Sequence, residues 1–279
     1  MKYIMFILCL CCMVCPSALA TDTFLVWEPS PIRLEMPYTH YYEDEHLCIA
    51  INRYDVDGIV YHLCDVQIAF PAVMRSALSY DKPNANHERL MDIAKRHEAV
   101  LAINADNYGY HRNGIIIRNG TLIRSKPTTR DLLIVDKNGD LSIETNHKEE
   151  DLTELANLYR YQNVQQVFAF GPALIDNYEI LPIHPKFKLI STKDSRREPR
   201  TAIGQFEPLH YLLLIADGRR EGHSKGMTFP EMRAIFLQYK VKTAFNLDGG
   251  GSTQLYFNGE TINRLAGGQR GMTDILYFK

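Results

Sequence analysis

The sequence predicts an α+β fold in a single domain, in which mixed β-sheets and several hairpins pack with a few helices. Short apolar segments typical of strands are separated by turn residues along the chain. Two asparagine–glycine pairs, Asn119-Gly120 and Asn258-Gly259, mark hairpin turns. Segments with helical periodicity are fewer and do not alternate regularly with the strands. This order favours α+β over a regular doubly wound fold.

Seven segments are predicted to be strands. They are LCIAIN, IVYHLCDVQIAF, AVLAIN, LLIVD, QVFAF, YLLLIAD and TAFNLD. The two hairpin turns also fix the register of the residues on either side of them. The first turn places Ile117 opposite Leu122, and the second places Leu255 opposite Ile262.

One helix is predicted with a defined beginning. In TFPEMRAIFLQYK, Thr228 and Glu231 form a capping box, and apolar residues recur at helical spacing from Met232 to Tyr239. Two further helices are expected in HERLMDIAKRHE and LTELANLYRYQ.

The first twenty residues have the organisation of a secretory signal peptide. Lys2 precedes an uncharged apolar stretch over residues 4–14, and the sequence ALA at residues 18–20 has the form of a cleavage site. A lipoprotein signal acylated at Cys15 is the alternative, but Val14 is not the small residue expected before a lipidated cysteine. Residues 1–20 are therefore expected to be removed.

The mature domain is predicted to cover residues 21–279. No later stretch has the roughly 18 uninterrupted apolar residues of a membrane helix, so no integral membrane segment is expected after cleavage. We expect an extracytoplasmic location, either periplasmic or secreted. The net charge of −2, with 23% charged residues and no basic stripe, argues against nucleic acid or an anionic membrane as a partner.

Two cysteines remain after the signal, Cys48 and Cys64. An oxidising compartment permits a disulfide between them. A turn centred on the valine of the intervening DVDG would place the two sulfurs opposite each other, whereas a two-residue Asp-Gly turn would pair Cys48 with Gln67. The alternative to a disulfide is two small buried side chains.

Polar residues cluster where three apolar strands end. They are Asn104, Asp106 and Asn107 after the first, Asp217, Gly218, Arg219 and Arg220 after the second, and Asn246 and Asp248 after the third. A single such residue is most often a turn or a cap. Three ends together predict carboxylates and amides gathered at one rim of a sheet, where rigid scaffolds present functional groups.

The run Gly249–Gly251 follows Asp248 directly, in NLDGGGSTQL. Consecutive glycines lose much conformational entropy on folding, so the run predicts positive φ or a close approach to the backbone. Their N–H groups, with the hydroxyls of Ser252 and Thr253, suit an anion-binding nest whose obvious occupant is phosphate. A flexible surface turn is the alternative, although such turns seldom separate two apolar strands.

Better-known site motifs do not fit the sequence. The glycine run lacks the second glycine of a nucleophile elbow and the lysine of a P-loop. The histidines show no metalloprotease spacing, so we expect His111 and His223 at the surface or against substrate rather than on zinc. No cofactor is predicted, and the alternative is Ca²⁺ or Mg²⁺ held by the aspartates.

Two arginines near the strand ends are candidates for binding an anion. Arg200 begins the apolar segment RTAIGQ, beside Thr201, and Arg219 follows the end of YLLLIAD. A guanidinium binds phosphate or carboxylate through two parallel hydrogen bonds. Arg220 and Lys225, in the same basic run, are expected to be solvated.

Six motifs occur in the order found in the phosphodiester glycosidase family, a domain shared by many secreted bacterial proteins. They are INADNYG, NGIIIRNG, FAFGPALI, RTAIGQ, IADGRREGHSKGMT and NLDGGGST. The chain resembles this family over residues 85–279 and more weakly from 45. The resemblance implies an α+β glycosidase-type domain that cleaves a sugar–phosphate bond in a glycan or sugar-phosphate substrate. Around the active site it implies the glycine turn with Asp106, Arg200, Asp217, Asn246 and Asp248.

The chain also departs from the family pattern. Ala105 and Asn107 stand where members often have glycine and an aromatic residue, and Gln269 precedes Arg270 where Glu-Arg is common. These departures bear on the sugar that is recognised more than on the type of reaction.

The chemistry of this reaction gives the candidate residues roles. A phosphate leaving group needs little protonation and is favoured by cationic and N–H groups, for which Arg200 and the glycine nest are candidates. A carboxylate stabilises an oxocarbenium-like sugar or activates water. We expect Asp248 and Asp106 to be the reacting pair, with Asp217 positioning them. The expected substrate contacts are Asn104, Arg200, Thr201, Arg219, Asn246, Gly249, Gly250, Gly251 and Ser252.

Two other classes of function use the same residues. One is a non-catalytic protein of the cell envelope that binds anionic glycans at this rim without turnover. The other is a metal-assisted phosphodiesterase, which cuts the P–O bond instead of the bond to the sugar. A chelator and the identity of the product distinguish these classes.

Overall fold

The computed structural model describes residues 27–83, 86–145, 164–183 and 196–279. The predicted signal peptide and the helix expected in LTELANLYRYQ lie outside these residues. The strands are β1 His40–Glu43, β2 Leu47–Val56, β3 Ile59–Ile68, β4 Met74–Leu78, β5 Glu88–Arg89, β6 Leu101–Asn104, β7 Gly114–Arg118, β8 Thr121–Lys126, β9 Leu132–Val135, β10 Leu141–Glu144, β11 Gln166–Phe168, β12 Ala173–Asp176, β13 Glu179–Ile180, β14 Arg200–Glu207, β15 His210–Ala216, β16 Thr243–Asn246, β17 Leu255–Phe257, β18 Glu260–Thr261, β19 Gly271–Met272 and β20 Asp274–Phe278. The α-helices within the described ranges are α1 Leu90–Arg96 and α2 Phe229–Gln238.

The strands form three main sheets and one small pair. The largest has eight strands in the order β1-β2-β3-β15-β14-β16-β12-β13. Two five-stranded sheets have the orders β10-β9-β11-β7-β8 and β18-β17-β6-β20-β4, and β19 pairs with β5. The α+β class thus fits in outline, but strands dominate the chain.

The prediction of mixed sheets is wrong for the part of the chain that the structure describes. Every pairing between these strands is antiparallel. Neighbouring strands such as β2 and β3, β7 and β8, or β14 and β15 are joined by short turns, and a short turn allows only antiparallel pairing.

The local predictions of strands and turns are confirmed. Ile117 pairs with Leu122 across the first asparagine–glycine turn. In the second hairpin, the N–H of Ile262 donates to the carbonyl of Leu255 at 2.9 Å. All seven segments predicted as strands contain a strand of the structure.

The two predicted helices that can be compared are also present. The capping box at the start of α2 is complete, with the Thr228 side chain accepting from the N–H of Glu231. Helix α1 covers the middle of HERLMDIAKRHE, since the residues before it form β5. No described helix has the length and apolar composition required to cross a membrane.

The eight-stranded sheet is buried on both faces, which explains the continuous apolar run YLLLIA. Successive side chains of a strand point to opposite faces. Tyr211, Leu213 and Ile215 therefore join the core cluster that also contains Ile103 of β6. Leu212, Leu214 and Ala216 join a second cluster beneath α2. The first cluster packs this sheet against the sheet that contains β6.

Cys48 and Cys64 are buried free thiols in this structure. Cys48 pairs with Gln67, whereas Cys64 pairs with Ile51, as the two-residue Asp-Gly turn predicts. An offset of three positions separates the two cysteines by about 10 Å along the strands. It also sends their side chains to opposite faces of the sheet.

Candidate active site

A cleft with a volume of about 260 Å³ opens where strands of the two packed sheets end. Its lining combines arginines, carboxylates, aromatic rings and the glycine turn: Tyr110, His111, Phe170, Arg196, Glu198, Arg200, Arg219, Asp248, Gly249, Gly250, Gly251 and Arg270. Six of the predicted site residues line this cleft, namely Arg200, Arg219, Asp248 and the three glycines Gly249–Gly251. The other lining residues were not among the predicted site residues.

The pairing of β14 explains why two of the polar strand ends meet. Strands β15 and β16 both run antiparallel to β14, so they end at the same edge of the eight-stranded sheet. The third end comes from β6 in another sheet. It is joined to the first two by the N–H of Asp248, which donates to the carbonyl of Ala105 at 3.1 Å.

Asp248 is the predicted catalytic acid that lines the cleft. Its Oδ1 accepts from the N–H of Gly249 at 2.8 Å, and its Oδ2 accepts from Nδ2 of Asn107 at 3.2 Å. Burial raises the pKa of Asp248 above its usual value. The Ser252 side chain, these two hydrogen bonds and the charge of Arg270 act in the opposite direction. The side chain is thus a partly buried carboxyl group held by neutral donors.

The glycine turn is needed because other groups approach its backbone closely. A Cβ at Gly249 would lie 2.7 Å from the carbonyl oxygen of Pro199. Gly250 has a φ of +62°, and a Cβ there would lie 3.1 Å from Nη2 of Arg219. The close approach predicted from the sequence is therefore found.

The prediction of an open anion-binding nest is wrong for two of the three glycines. The N–H of Gly249 donates to the side chain of Asp248, and the N–H of Gly250 donates to the carbonyl of Pro199 at 2.9 Å. These donors hold the turn in place. A phosphate in the cleft would therefore rely on the arginines.

Arg200 is buried at the back of the cleft. Its guanidinium carbon lies 4.0 Å from the centre of the Phe229 ring, and its Nε donates to the carbonyl of Met227 at 3.2 Å. Burial lowers the pKa of Arg200 to about 10, so the group is still charged at neutral pH. A stacked guanidinium of this kind has a fixed orientation.

The other arginines of the cleft divide into two groups. Arg196 and Arg219 both pair with Glu198, with Nε of Arg196 at 2.7 Å from Oε1. Arg270 stacks instead on Tyr110, with 5.4 Å between the guanidinium carbon and the ring centre. Four arginines thus face two carboxylates, and the cleft has an excess of positive charge.

His111 is neutral in this setting. Its Nδ1 lies 3.0 Å from Nη2 of Arg130, and because arginine only donates, Nδ1 accepts and the proton resides on Nε2. Burial and the charge of Arg130 lower the pKa of His111 to about 4. The residue lines the cleft, in keeping with the substrate-contact alternative of the sequence analysis.

Asp106 lies outside the cleft lining, so the structure does not present it there beside Asp248. It is buried and forms an ion pair with Arg118, and its Oδ2 accepts from the N–H of Ala169 at 2.8 Å. Arg118 also donates to Oδ2 of Asp274 at 2.6 Å. Asp106 is therefore part of a buried ionic cluster behind the site.

Asp217 is likewise buried and outside the cleft lining. Nε2 of His223 lies 2.7 Å from its Oδ2, and Nδ2 of Asn263 donates to its Oδ1 at 3.0 Å. The N–H of Arg264 donates to the same carboxylate at 3.2 Å. This side chain ties the basic loop after β15 to the segment after β18.

The remaining predicted contacts are buried groups that support the backbone. Oδ1 of Asn104 accepts from the hydroxyl of Thr201 at 2.8 Å. Nδ2 of Asn246 donates to the carbonyl of Gly171 at 2.7 Å. Ser252 is fully buried, and its side chain acts to lower the pKa of Asp248. None of these four side chains lines the cleft.

Several residues of the cleft were not among the predicted site residues. Glu198 lies two residues before the RTAIG motif. Tyr110 follows β6 by six residues and carries no local signal. Phe170 lies in the motif FAFGPALI, two residues after β11, but an aromatic residue there does not indicate a cleft. Within the ranges that the structure describes, no group of three or more His, Cys, Asp or Glu side chains is placed to hold a metal ion.

Comparison with family models identifies the class of the protein. Residues 97–279 match the model described as phosphodiester glycosidase. The match covers most of the chain, so the chain belongs to the phosphodiester glycosidase family.

Individual relatives are more distant. An SPbeta prophage-derived uncharacterized protein, YomE, of Bacillus subtilis (strain 168) is 29% identical over 202 residues, which is 68% of this chain and 29% of that protein. The chain thus spans less than a third of the length of this curated relative.

Three solved structures share the fold. The catalytic domain of zebrafish N-acetylglucosamine-1-phosphodiester alpha-N-acetylglucosaminidase, auto-inhibited by its pro-peptide, has a TM-score of 0.65 and 19% identity, with 83% of this chain and 82% of that chain covered. A hypothetical protein from Synechocystis has a TM-score of 0.58 and 14% identity, with 84% and 62% covered. A putative exported protein from Burkholderia pseudomallei K96243 has a TM-score of 0.56 and 14% identity, with 79% and 74% covered.

The glycine turn generates a prediction about stability. Gly249→Ala places a methyl group against the Pro199 carbonyl, so we expect the free energy of unfolding to fall by about 1–3 kcal/mol. Gly267→Ala is the matched control, because a Cβ there meets nothing within 4 Å. Urea unfolding of both variants measures the difference, and equal stabilities would contradict the close approach.

Proposed function

We propose that the protein hydrolyses the bond between the anomeric carbon of a sugar and a phosphodiester, releasing the free sugar. The observation that carries this proposal is the cleft itself, where the Asp248 carboxyl lies among four arginines and aromatic rings. A sugar joined to phosphate presents the matching groups: a negative charge on one side and a carbon that becomes electron-poor on the other.

The arginines are the groups that we propose act on the phosphate. As the bond to the sugar breaks, negative charge gathers on the departing phosphate, and fixed cations nearby stabilise it. Arg200 is pre-oriented by its stacking on Phe229. Arg270 lies on the same cleft, stacked on Tyr110. Phosphate monoesters are weak bases, so this departure needs little proton donation.

Asp248 is the group that we propose acts on the sugar. In its ionised form it stabilises positive charge on the sugar ring or activates the attacking water. Glu198 also lines the cleft, but it is ion-paired with Arg196 and Arg219. We therefore assign the reacting role to Asp248, and we assign Asp106 and Asp217 to positioning from behind the cleft.

The zebrafish relative supports a sugar-1-phosphodiester as the class of substrate, since its name describes an N-acetylglucosamine-1-phosphodiester. At 19% identity that likeness reports on the fold, and the sugar is left open. A glycan or glycoconjugate outside the cytoplasm is the substrate we propose, in keeping with the signal peptide predicted over residues 1–20.

The proposed reaction is tested with a panel of sugar-1-phosphodiesters, UDP-sugars included, followed by identification of the products. We expect free reducing sugar, unchanged yield in EDTA, and a turnover at least about a hundredfold lower for Asp248→Asn. Asp57→Asn, in an exposed turn, is the control and should be fully active.

Each other outcome points to a different function. Sugar-1-phosphate as product, with loss of activity in EDTA, would indicate a metal-assisted phosphodiesterase. Binding without any product would indicate a glycan-binding protein. Wild-type turnover by Asp248→Asn would refute the assignment of that residue.

The pKa shifts of the cleft predict the pH dependence of activity. Asp248 reacts as the carboxylate, and burial raises its pKa, so activity should fall as the pH drops through a value above that of an ordinary aspartate. Arg200 binds as the cation, so activity should fall again as the pH rises through about 10. The measurement is kcat/KM against pH. An acidic limb at or below about pH 3.9 would contradict the first part.

Export is tested on the protein itself. We expect the mature chain, recovered from the periplasm or the medium, to begin at Thr21, because the predicted cleavage follows Ala20. Mass spectrometry of the intact protein measures this. Full-length chain retained in the cytoplasm would refute the proposed location.

A further inference from the structure

Asn107 lies directly behind the cleft and touches its reacting carboxylate. It follows β6, is 1% exposed and has a φ of +46°. Its Nδ2 donates to Oδ2 of Asp248 at 3.2 Å. Its Oδ1 accepts both from the N–H of Thr273 and from the Thr273 hydroxyl, each at 3.2 Å.

These contacts fix the orientation of the amide. Reversing it would place the NH₂ group against the N–H of Thr273, where two donors would face each other. It would also place the amide oxygen against the Asp248 carboxylate, where two acceptors would face each other. Only the observed orientation satisfies both neighbours, so Asn107 is held as a donor to Asp248.

Thr273 is itself held firmly. Its hydroxyl accepts from the N–H of Gly109 at 3.2 Å. The single hydroxyl proton is shared between Oδ1 of Asn107 and Oδ1 of Asp274, which lies 3.1 Å away. A Cβ on Gly109 would lie 2.3 Å from Cγ2 of Thr273, so this side chain is tightly enclosed. Asp274 is bound in turn by Arg118. A continuous hydrogen-bonded chain therefore runs from the buried ionic cluster to Asp248.

We propose that Asn107 is a positioning residue for the reaction, which orients the Asp248 carboxylate and keeps it ionised inside the cleft, and that Thr273 holds Asn107 in this role. The inference rests on the proposed function, in which Asp248 is the reacting group. It adds a residue that acts on the chemistry without lining the cleft.

The groups around Asp248 determine how far its pKa should shift when Asn107 is changed. Apart from Asn107, the Ser252 side chain, the N–H of Gly249 and the charge of Arg270 lower the pKa of this carboxyl, and the charge of Arg130 also acts on it. All of these remain when Asn107 is changed. The loss of one donor should therefore shift the pKa of Asp248 upward without preventing its ionisation.

Asn107→Asp is the decisive variant. Aspartate matches asparagine in size and tolerates the same left-handed backbone, but it places a carboxyl group against Asp248 and removes the donor. We expect the acidic limb of kcat/KM to move up by about one pH unit or more. The ¹³C resonance of the Asp248 carboxyl in the full chain should show the same upward shift.

Asn258→Asp is the matched control. Asn258 has a φ of +45° and is exposed in the hairpin turn between β17 and β18. The same substitution in the same backbone region should leave the pH profile and the Asp248 titration unchanged. It separates the effect on Asp248 from any general effect of the added charge.

Thr273 provides a second, independent pair of variants. Thr273→Val keeps the shape of the side chain but removes the hydroxyl that donates to Asn107, so we expect an upward shift of the acidic limb that is smaller than that of Asn107→Asp. Thr273→Ser keeps the hydroxyl and should restore the wild-type profile.

Three results would overturn the inference. One is an Asp248 titration in Asn107→Asp within about 0.3 pH unit of the wild type. Another is a loss of kcat and thermal stability with no shift of the acidic limb, which would indicate a purely structural role. The third is an equal shift in Asn258→Asp. If the wild type shows no turnover on any substrate, the proposed function fails, and the NMR titration still decides whether Asn107 controls the ionisation of Asp248.

Discussion

The candidate site depends on a single buried amide, that of Asn104, which joins two sheets. Nδ2 of Asn104 donates to the carbonyl of Asp248 at 2.6 Å, and its Oδ1 accepts from the Thr201 hydroxyl and from the N–H of Gln254. These partners come from the ends of β16 and β14 and from the segment that leads into β17. The Asn104 side chain thus fixes the relative position of the strands whose ends form the cleft.

The cleft shows how a partly buried carboxyl group is kept usable. An unpaired carboxylate in an apolar interior would protonate, and a full ion pair would hide it from substrate. Asp248 has an intermediate environment, in which the Ser252 side chain, two neutral N–H donors and the charge of Arg270 favour its ionised form. Glu198, two residues before Arg200, has the opposite environment, since its charge is neutralised by Arg196 and Arg219. The two acids of one cleft are therefore distinguished by their partners.

The sequence revealed features that depend on local chemistry and missed those that depend on distant partners. The hairpin registers and the capping box of α2 follow from neighbouring residues, and the structure contains them. The glycine run likewise predicted a close approach to its backbone, which the structure contains. The sequence did not predict the ionic partners of Asp106, because Arg118 lies on another strand and Asp274, which shares Arg118, lies near the C-terminus. An acid that follows a strand looks the same whether it faces substrate or a buried guanidinium.

The offset thiols of β2 and β3 have a consequence for how the chain is matured. Many exported domains are completed by cross-linking and fall apart when their bridges are broken. Here Cys48 and Cys64 are both packed as ordinary apolar groups, three positions out of line. Neither side chain is cross-linked to the other. Within the residues that the structure describes, reductant should therefore leave the packing of β2 and β3 intact.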